Sequence, residues 1–159
     1  MTQSTTAAPA LERQGSIELP RSEAFAVRDR VALGTSFGAF TVTYVGPNFL
    51  RLFGDERVEA QPPRDVHHLR LAEWTDDAAL APSLPHDASL ADLFAVLELG
   101  PDGPGEFVGE SNTVYRSADG GRWTPHFYTR GNRLGFGALP FGDAVGWEPG
   151  DVFLAGAGS

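Results

Sequence analysis

A chain of 159 residues carrying 12 basic and 21 acidic side chains has the size of one domain, and its net charge of −9 opposes non-specific attraction to nucleic acid or anionic lipid. An apolar content of 42% excludes a disordered polymer, and the absence of cysteine removes disulfides, thiolate zinc sites and cysteine nucleophiles together. Nineteen glycines and twelve prolines indicate frequent turns, which favours an all-β fold with little helix.

Residues 1–15, small and polar and interrupted by Pro9, read as a disordered tail ahead of one β-rich domain over 16–159 whose last residues, AGAGS, are loose as well. The N-terminus lacks the basic and apolar regions of a secretory signal, and no apolar run reaches the length of a membrane span. A soluble, cytoplasmic protein without membrane or nucleic-acid partners is the expectation.

In AFAVRDRVAL, Phe25, Val27, Asp29, Val31 and Leu33 alternate with Arg28 and Arg30 as on a half-buried strand with one odd acid. FGAFTVTYVGPNFLRLFGD sets Phe40, Val42 and Tyr44 against Thr41 and Thr43, breaks at Gly46-Pro47-Asn48, and resumes as a second strand through Phe49, Leu50 and Leu52. DVHHLRLAEW alternates over ten residues, so His67 and His68 point apart. SLADLFAVLELG is divided between two patterns: Ser89 and Asp92 resemble a short capping box and Leu90, Leu93, Phe94 and Leu97 have helical spacing, whereas Leu93, Ala95, Leu97 and Leu99 alternate. The expectation is one helical turn and then a strand. EFVGESNTVYR, RWTPHFYTR, NRLGFGALPFG and VGWEPGDVFLAG read as further strands between glycine-rich turns. Seven to nine short strands at this spacing predict a single-domain antiparallel barrel or sandwich.

Catalytic signatures are sparse. No G-x-S-x-G elbow, phosphate loop or dinucleotide fingerprint occurs, and the glycines of GNRLGFGALPFGDAVG fit bends or close backbone approach better than phosphate binding. SADGGRW approaches the Asp-box turn but is one residue short and occurs once, so it reads as a hairpin turn. Glu98, Glu106 and Glu110 could pair for acid-base work, although an acidic chain always offers such pairs. Of the histidines, His67 and His68 diverge and His86 lies in a proline-rich loop. A metal site would therefore join His126 to one of the pair and to an acid such as Glu110, with His68 and His126 the leading ligands. Isolated structural histidines remain the more economical reading.

By strand parity, Arg122, Thr124, His126, Tyr128 and Arg130 share one face, while Trp123, Pro125, Phe127 and Thr129 share the other and suit a core. The first face combines planar cations, an imidazole and a phenol, groups able to hold a carboxylate, peptide amides or an aromatic side chain. An ordinary solvated sheet face accounts for it equally well. Arg122, His126, Tyr128 and Arg130 are the candidate ligand-binding residues, supported by Tyr115 and Arg116 across the hairpin.

The stretch WEPGDVFLAG, with Pro149, Gly150 and Asp151 turning into Val152, Phe153 and Leu154, resembles the late P-G-D strand of cupins. The early His-x-His motif of that superfamily is absent, and the chain ends soon after this strand. A short, cysteine-free, cupin-like chain without metal ligands is similar to the truncated-cupin peptide-binding proteins of crocagin-type ribosomal peptide biosynthesis. The resemblance implies a non-catalytic accessory protein, without cofactor, that holds a precursor peptide for a separate modifying enzyme. The wider expectation is a peptide or small polar-aromatic ligand, with room for a homodimer, set against a metal-dependent cupin-type oxygenase or isomerase acting on a small molecule.

Overall fold

In the computed structural model, residues 11–80, 89–99, 112–114, 116–118, 121–141 and 146–156 are described. The chain begins with strand β1 (Leu11–Leu19), the two-residue β2 (Phe25–Ala26), the helical turn α1 (Val27–Arg30), β3 (Ser36–Phe37) and β4 (Phe40–Val45). Helix α2 (Pro47–Phe53), β5 (Arg57–Val58), the long β6 (Arg64–Leu71), β7 (Thr75–Asp76), the turn α3 (Asp77–Leu80) and helix α4 (Leu90–Glu98) follow. The last third supplies β8 (Asn112–Thr113), β9 (Arg116–Ala118), β10 (Gly121–Arg130), β11 (Arg133–Phe141), β12 (Gly146–Trp147) and β13 (Val152–Gly156). No helix among the described residues is long and apolar enough to cross a membrane.

The main sheet runs β1-β6-β13-β8-β10-β11-β4-β3, with β9 beside β10. Most of its pairs are antiparallel, but β13 with β8 and β11 with β4 are parallel. Two small ribbons, β2 with β5 and β7 with β12, add layers. The fold is strand-rich and sandwich-like, and among the described residues no sheet closes into a barrel.

What fills the opening is α4, buried from Leu90 to Leu97. Its Phe94 stacks on Phe136 of β11 at 5.4 Å, lies 6.1 Å from Phe37 of β3, and meets Phe25 of β2 edge-on at 5.0 Å. The same helix packs on β1, at the opposite end of the sheet from β3. The sheet therefore curls around one apolar helix, and both of its outer strands reach that helix.

Register partners share a face of a sheet. The inner face carries Val66, Val152, Leu154, Phe127, Phe136 and Val42 against α4 in the main core. On the outer face, Leu69, Leu71 and Phe153 are covered by Trp147 and Leu80 from the β7, α3 and β12 layer, with Trp147 and Phe153 in edge contact at 5.2 Å.

Four expectations give way. Strand β1 begins at Leu11, inside the segment expected as a tail. In AFAVRDRVAL the strand stops at Ala26 and a helical turn follows. Val27 and Val31, two apart in alternation, are also one helical turn apart and both are buried, while Asp29 and Leu33 of the expected apolar face are exposed. The segment after Gly46 is a helix with Pro47 in its first turn, and Phe49 and Phe53 at helical spacing enter the core. Residues 90–98 are helical throughout because the whole segment lies inside the core, where an all-round apolar helix satisfies its own backbone.

The capping box at its start is formed: Ser89 Oγ accepts from the Asp92 amide at 3.4 Å, and Asp92 Oδ2 accepts from the Ser89 amide at 3.2 Å. Asp92 also receives Arg64 Nε at 2.7 Å, within a largely buried ion pair. Asp92→Ala is expected to lower stability by about 3–5 kcal/mol by stranding a buried guanidinium. Ser89→Ala should cost about 1 kcal/mol. Urea denaturation of the two variants checks both the values and their order.

Candidate functional site

β10 lies inside the sheet. It pairs with β11 along its length, with β9 at Gly121–Trp123 and with β8 at His126 and Phe127. Its two faces divide as the alternation predicts. Phe127 and Pro125 are buried towards the core, and Trp123, half-buried, lies under the guanidinium of Arg51 from α2 at 5.8 Å. On the outer face Thr124 is fully buried and donates from Oγ1 to the Leu139 carbonyl at 3.1 Å.

His126, also on this face, is half-buried, and its Nδ1–H donates to the Thr124 carbonyl at 3.0 Å. That bond places the proton on Nδ1 and turns Nε2 over the neighbouring strand, 2.9 Å from where a Cβ on Gly137 would stand. A Cβ on Gly135 would likewise collide with the ring of Tyr128. The glycine alternation of β11 thus provides the close approach that the sequence suggests, and two rings with centroids 6.2 Å apart lie on bare backbone.

Of the residues selected from sequence, His126, Tyr128 and Arg130 therefore form a continuous row, with Tyr128 37% exposed and Arg130 exposed. Arg122 shares their face but stands eight strand residues from Arg130, roughly 26 Å along an extended chain. These groups make a strip and not a compact pocket. Arg116 is the register partner of Trp123, and Ser117 that of Arg122. Tyr115, Glu110, Glu106 and His86 lie outside the described residues.

Three neighbours escaped the sequence reading because parity within one strand says nothing about adjacent strands. Arg133 is the register partner of Arg130, which places two exposed arginines opposite each other at the hairpin end. Tyr44 of β4 pairs with Gly135, putting its half-exposed ring on the face of Tyr128. Beside Tyr44, a groove of about 330 Å³ runs between α1, α2 and β4, lined by Val31, Leu33, Tyr44, Val45 and Leu50. Leu33, 71% exposed, stands at its rim. The outer side of β4 is paired by β3 at Phe40 and Thr41 and bonded by Gly34 and Thr35 at Val42, and from Thr43 onward no described strand covers it.

The metal reading meets a geometric obstacle. Leu69, not His68, shares a row with Phe153, Thr113 and His126, so His68 and His126 lie on opposite faces, three strand spacings apart. No group of three histidine or acidic side chains is placed to hold a metal ion among the described residues. His67, on the other side of its strand from His68, bonds through Nδ1 to the Ser16 hydroxyl at 3.0 Å.

The P-G-D stretch is a turn in which Pro149 and Gly150 occupy the central positions and Gly150 takes φ +98°. The Asp151 amide donates to the Glu148 carbonyl at 3.1 Å, as in a type II turn. Asp151 Oδ2 accepts from the Glu148 amide at 2.9 Å. The turn sets β13 beside β6 and takes no part in the Tyr44 to Arg130 face. The chain matches no protein-family model, no curated protein and no solved structure.

Burial, with Arg70 adding repulsion, pushes the His68 imidazole down to about 4, and burial also lowers His126 against the opposing pull of the Thr124 carbonyl. Both rings are thus neutral in the fold at pH 7. As pH falls below about 6.5 the unfolded chain takes up protons that the folded chain refuses, so stability declines until pH reaches about 4. His68 alone should account for up to about 3 kcal/mol of that loss. Asp151, raised mainly by burial, works in the opposite direction. Denaturation midpoints from pH 7.5 to 4.5 should fall in the parent and fall less in His68→Gln.

Proposed function

We propose that this protein is a non-catalytic binding protein that holds a peptide in extended form along the outer side of β4. The observation that carries this reading is the coincidence of an uncovered strand stretch, Thr43–Val45, with the apolar groove and the exposed rims Leu33 and Tyr44. Added strands gain affinity from backbone hydrogen bonds and specificity from pockets for alternate side chains. An apolar side chain of the peptide would enter the groove, and its neighbours would turn outward.

The strip Tyr44, Tyr128, Arg130 and Arg133 then becomes the second contact. It begins beside the same strand, offers two phenol rings, that of Tyr128 lying on Gly135, and ends in two guanidiniums that suit a carboxylate. An acidic, aromatic peptide fits this surface although the chain as a whole is acidic. β10 itself is an interior strand, so His126 and Tyr128 would act through their side chains and not through strand addition. The resemblance to crocagin-type proteins supplies the peptide class: a ribosomal precursor whose core a separate enzyme modifies.

The test is selection of displayed random heptapeptides on the protein, followed by calorimetry. Selected peptides should lose about tenfold or more in affinity for Tyr44→Ala, and a similar factor when alternate peptide amides are N-methylated. Arg130→Ala should weaken acidic peptides more than neutral ones. Failure to enrich any sequence, or affinity indifferent to both Tyr44→Ala and N-methylation, would overturn the proposal.

A further inference from the structure

A second concavity lies on the inner side of the molecule, about 280 Å³ in volume, between the segment Arg21–Phe25, Arg30 of α1 and one flank of α4. Ala91 and Ala95 leave the space on the helix side, and Phe25 and Phe94 supply apolar walls. Charges of both signs surround it: Arg30 pairs with Glu98, and Arg21 with Glu23 at 3.6 Å at the exposed rim.

Arg30 is held unusually firmly. Its guanidinium carbon lies 4.9 Å from the centroid of Phe25, 5.0 Å from Phe37 and 5.8 Å from Phe94, a three-ring cage for a cation. A guanidinium has five N–H donors in a rigid fork, and the bond to Glu98 engages Nη2. Among the described residues, Nε and Nη1 meet no acceptor. A planar cation fixed by rings at the wall of a cavity, with donors to spare, is preorganised for a carboxylate. Glu98, half-exposed beside it, is placed for an ammonium group, and the small volume limits the rest of the ligand to one apolar side chain.

We infer that this cavity binds a small zwitterion with an apolar or aromatic side chain, of the α-amino acid class. The carboxylate pairs with Arg30, the ammonium with Glu98, and the side chain lies against Phe25, Phe94 and the two alanines. The site is separate from the β4 groove, so either can fail without the other.

L-Phenylalanine and L-leucine, titrated to about 10 mM into the ¹⁵N-labelled full chain, should shift the amides of Phe25, Ala91 and Ala95. 3-Phenylpropionate and phenylalanine amide each lack one charge and should bind about tenfold more weakly. Glu98→Gln should cost the amino acids a similar factor but should tighten 3-phenylpropionate, because it removes the carboxylate that competes for Arg30. Ala95→Leu should fill the cavity and abolish the shifts; if that variant does not fold, Glu98→Gln carries the test. No shift at these amides, or equal affinity for the amino acid and both single-charge analogues, would overturn the inference.

Discussion

The buried contact between Arg64 and Asp92 is the interaction on which the remaining architecture depends. Asp92 sits in the first turn of α4, where a negative charge complements the free backbone amides, and it already accepts from Ser89. Arg64 starts β6 and neutralises that carboxylate, while its Nη1 donates to the carbonyls of Pro20 and Pro62 and to the Ser22 hydroxyl. One guanidinium thereby joins the end of β1, the approach to β6 and the start of the central helix. Few other devices would let so apolar a helix enter a core with its N-terminal amides and its one buried acid satisfied.

The helix fixed in this way determines the two faces of the sheet. Because α4 occupies the concave side, the large aromatic side chains of β3 and β11 turn inward to meet Phe94. On the convex side the β7, α3 and β12 layer covers the β6 and β13 end. Beyond that cover Tyr44, Tyr128 and Leu139 stand exposed, with Arg130 and Arg133 beside them. The proposed peptide site is this uncovered end and the free side of β4 next to it. Arg30 is tied to the same helix through Glu98 and Phe94, and the rings that cage it are members of, or pack against, the same core.

Alternation identified β6 and β10 as strands because a two-residue period is visible in their composition, whereas the first half of β1, equally long, was expected as tail. It also separated Trp123 and Phe127 from His126 and Tyr128, and it kept His67 and His68 apart. The same signal misled over 25–33 and 47–53. Short apolar segments there satisfy both a two-residue and a helical spacing, and only the position of Pro47 and the burial of Phe49 and Phe53 favour helix. For α4 the capping residues were legible, but a helix apolar on every side has no periodic contrast to reveal its length.

By itself, the sequence determined the strand-rich class, the absence of thiol chemistry, the cap at Ser89 and the composition of each face of β10. These are local properties, written in neighbouring residues and in the pleat. Tertiary structure alone decided that β10 is an interior strand, that Tyr44 and Arg133 stand beside Tyr128 and Arg130, and that His68 and His126 occupy opposite faces. The physical reason is that strand order and register join residues distant in the chain through backbone hydrogen bonds, which carry no side-chain signature.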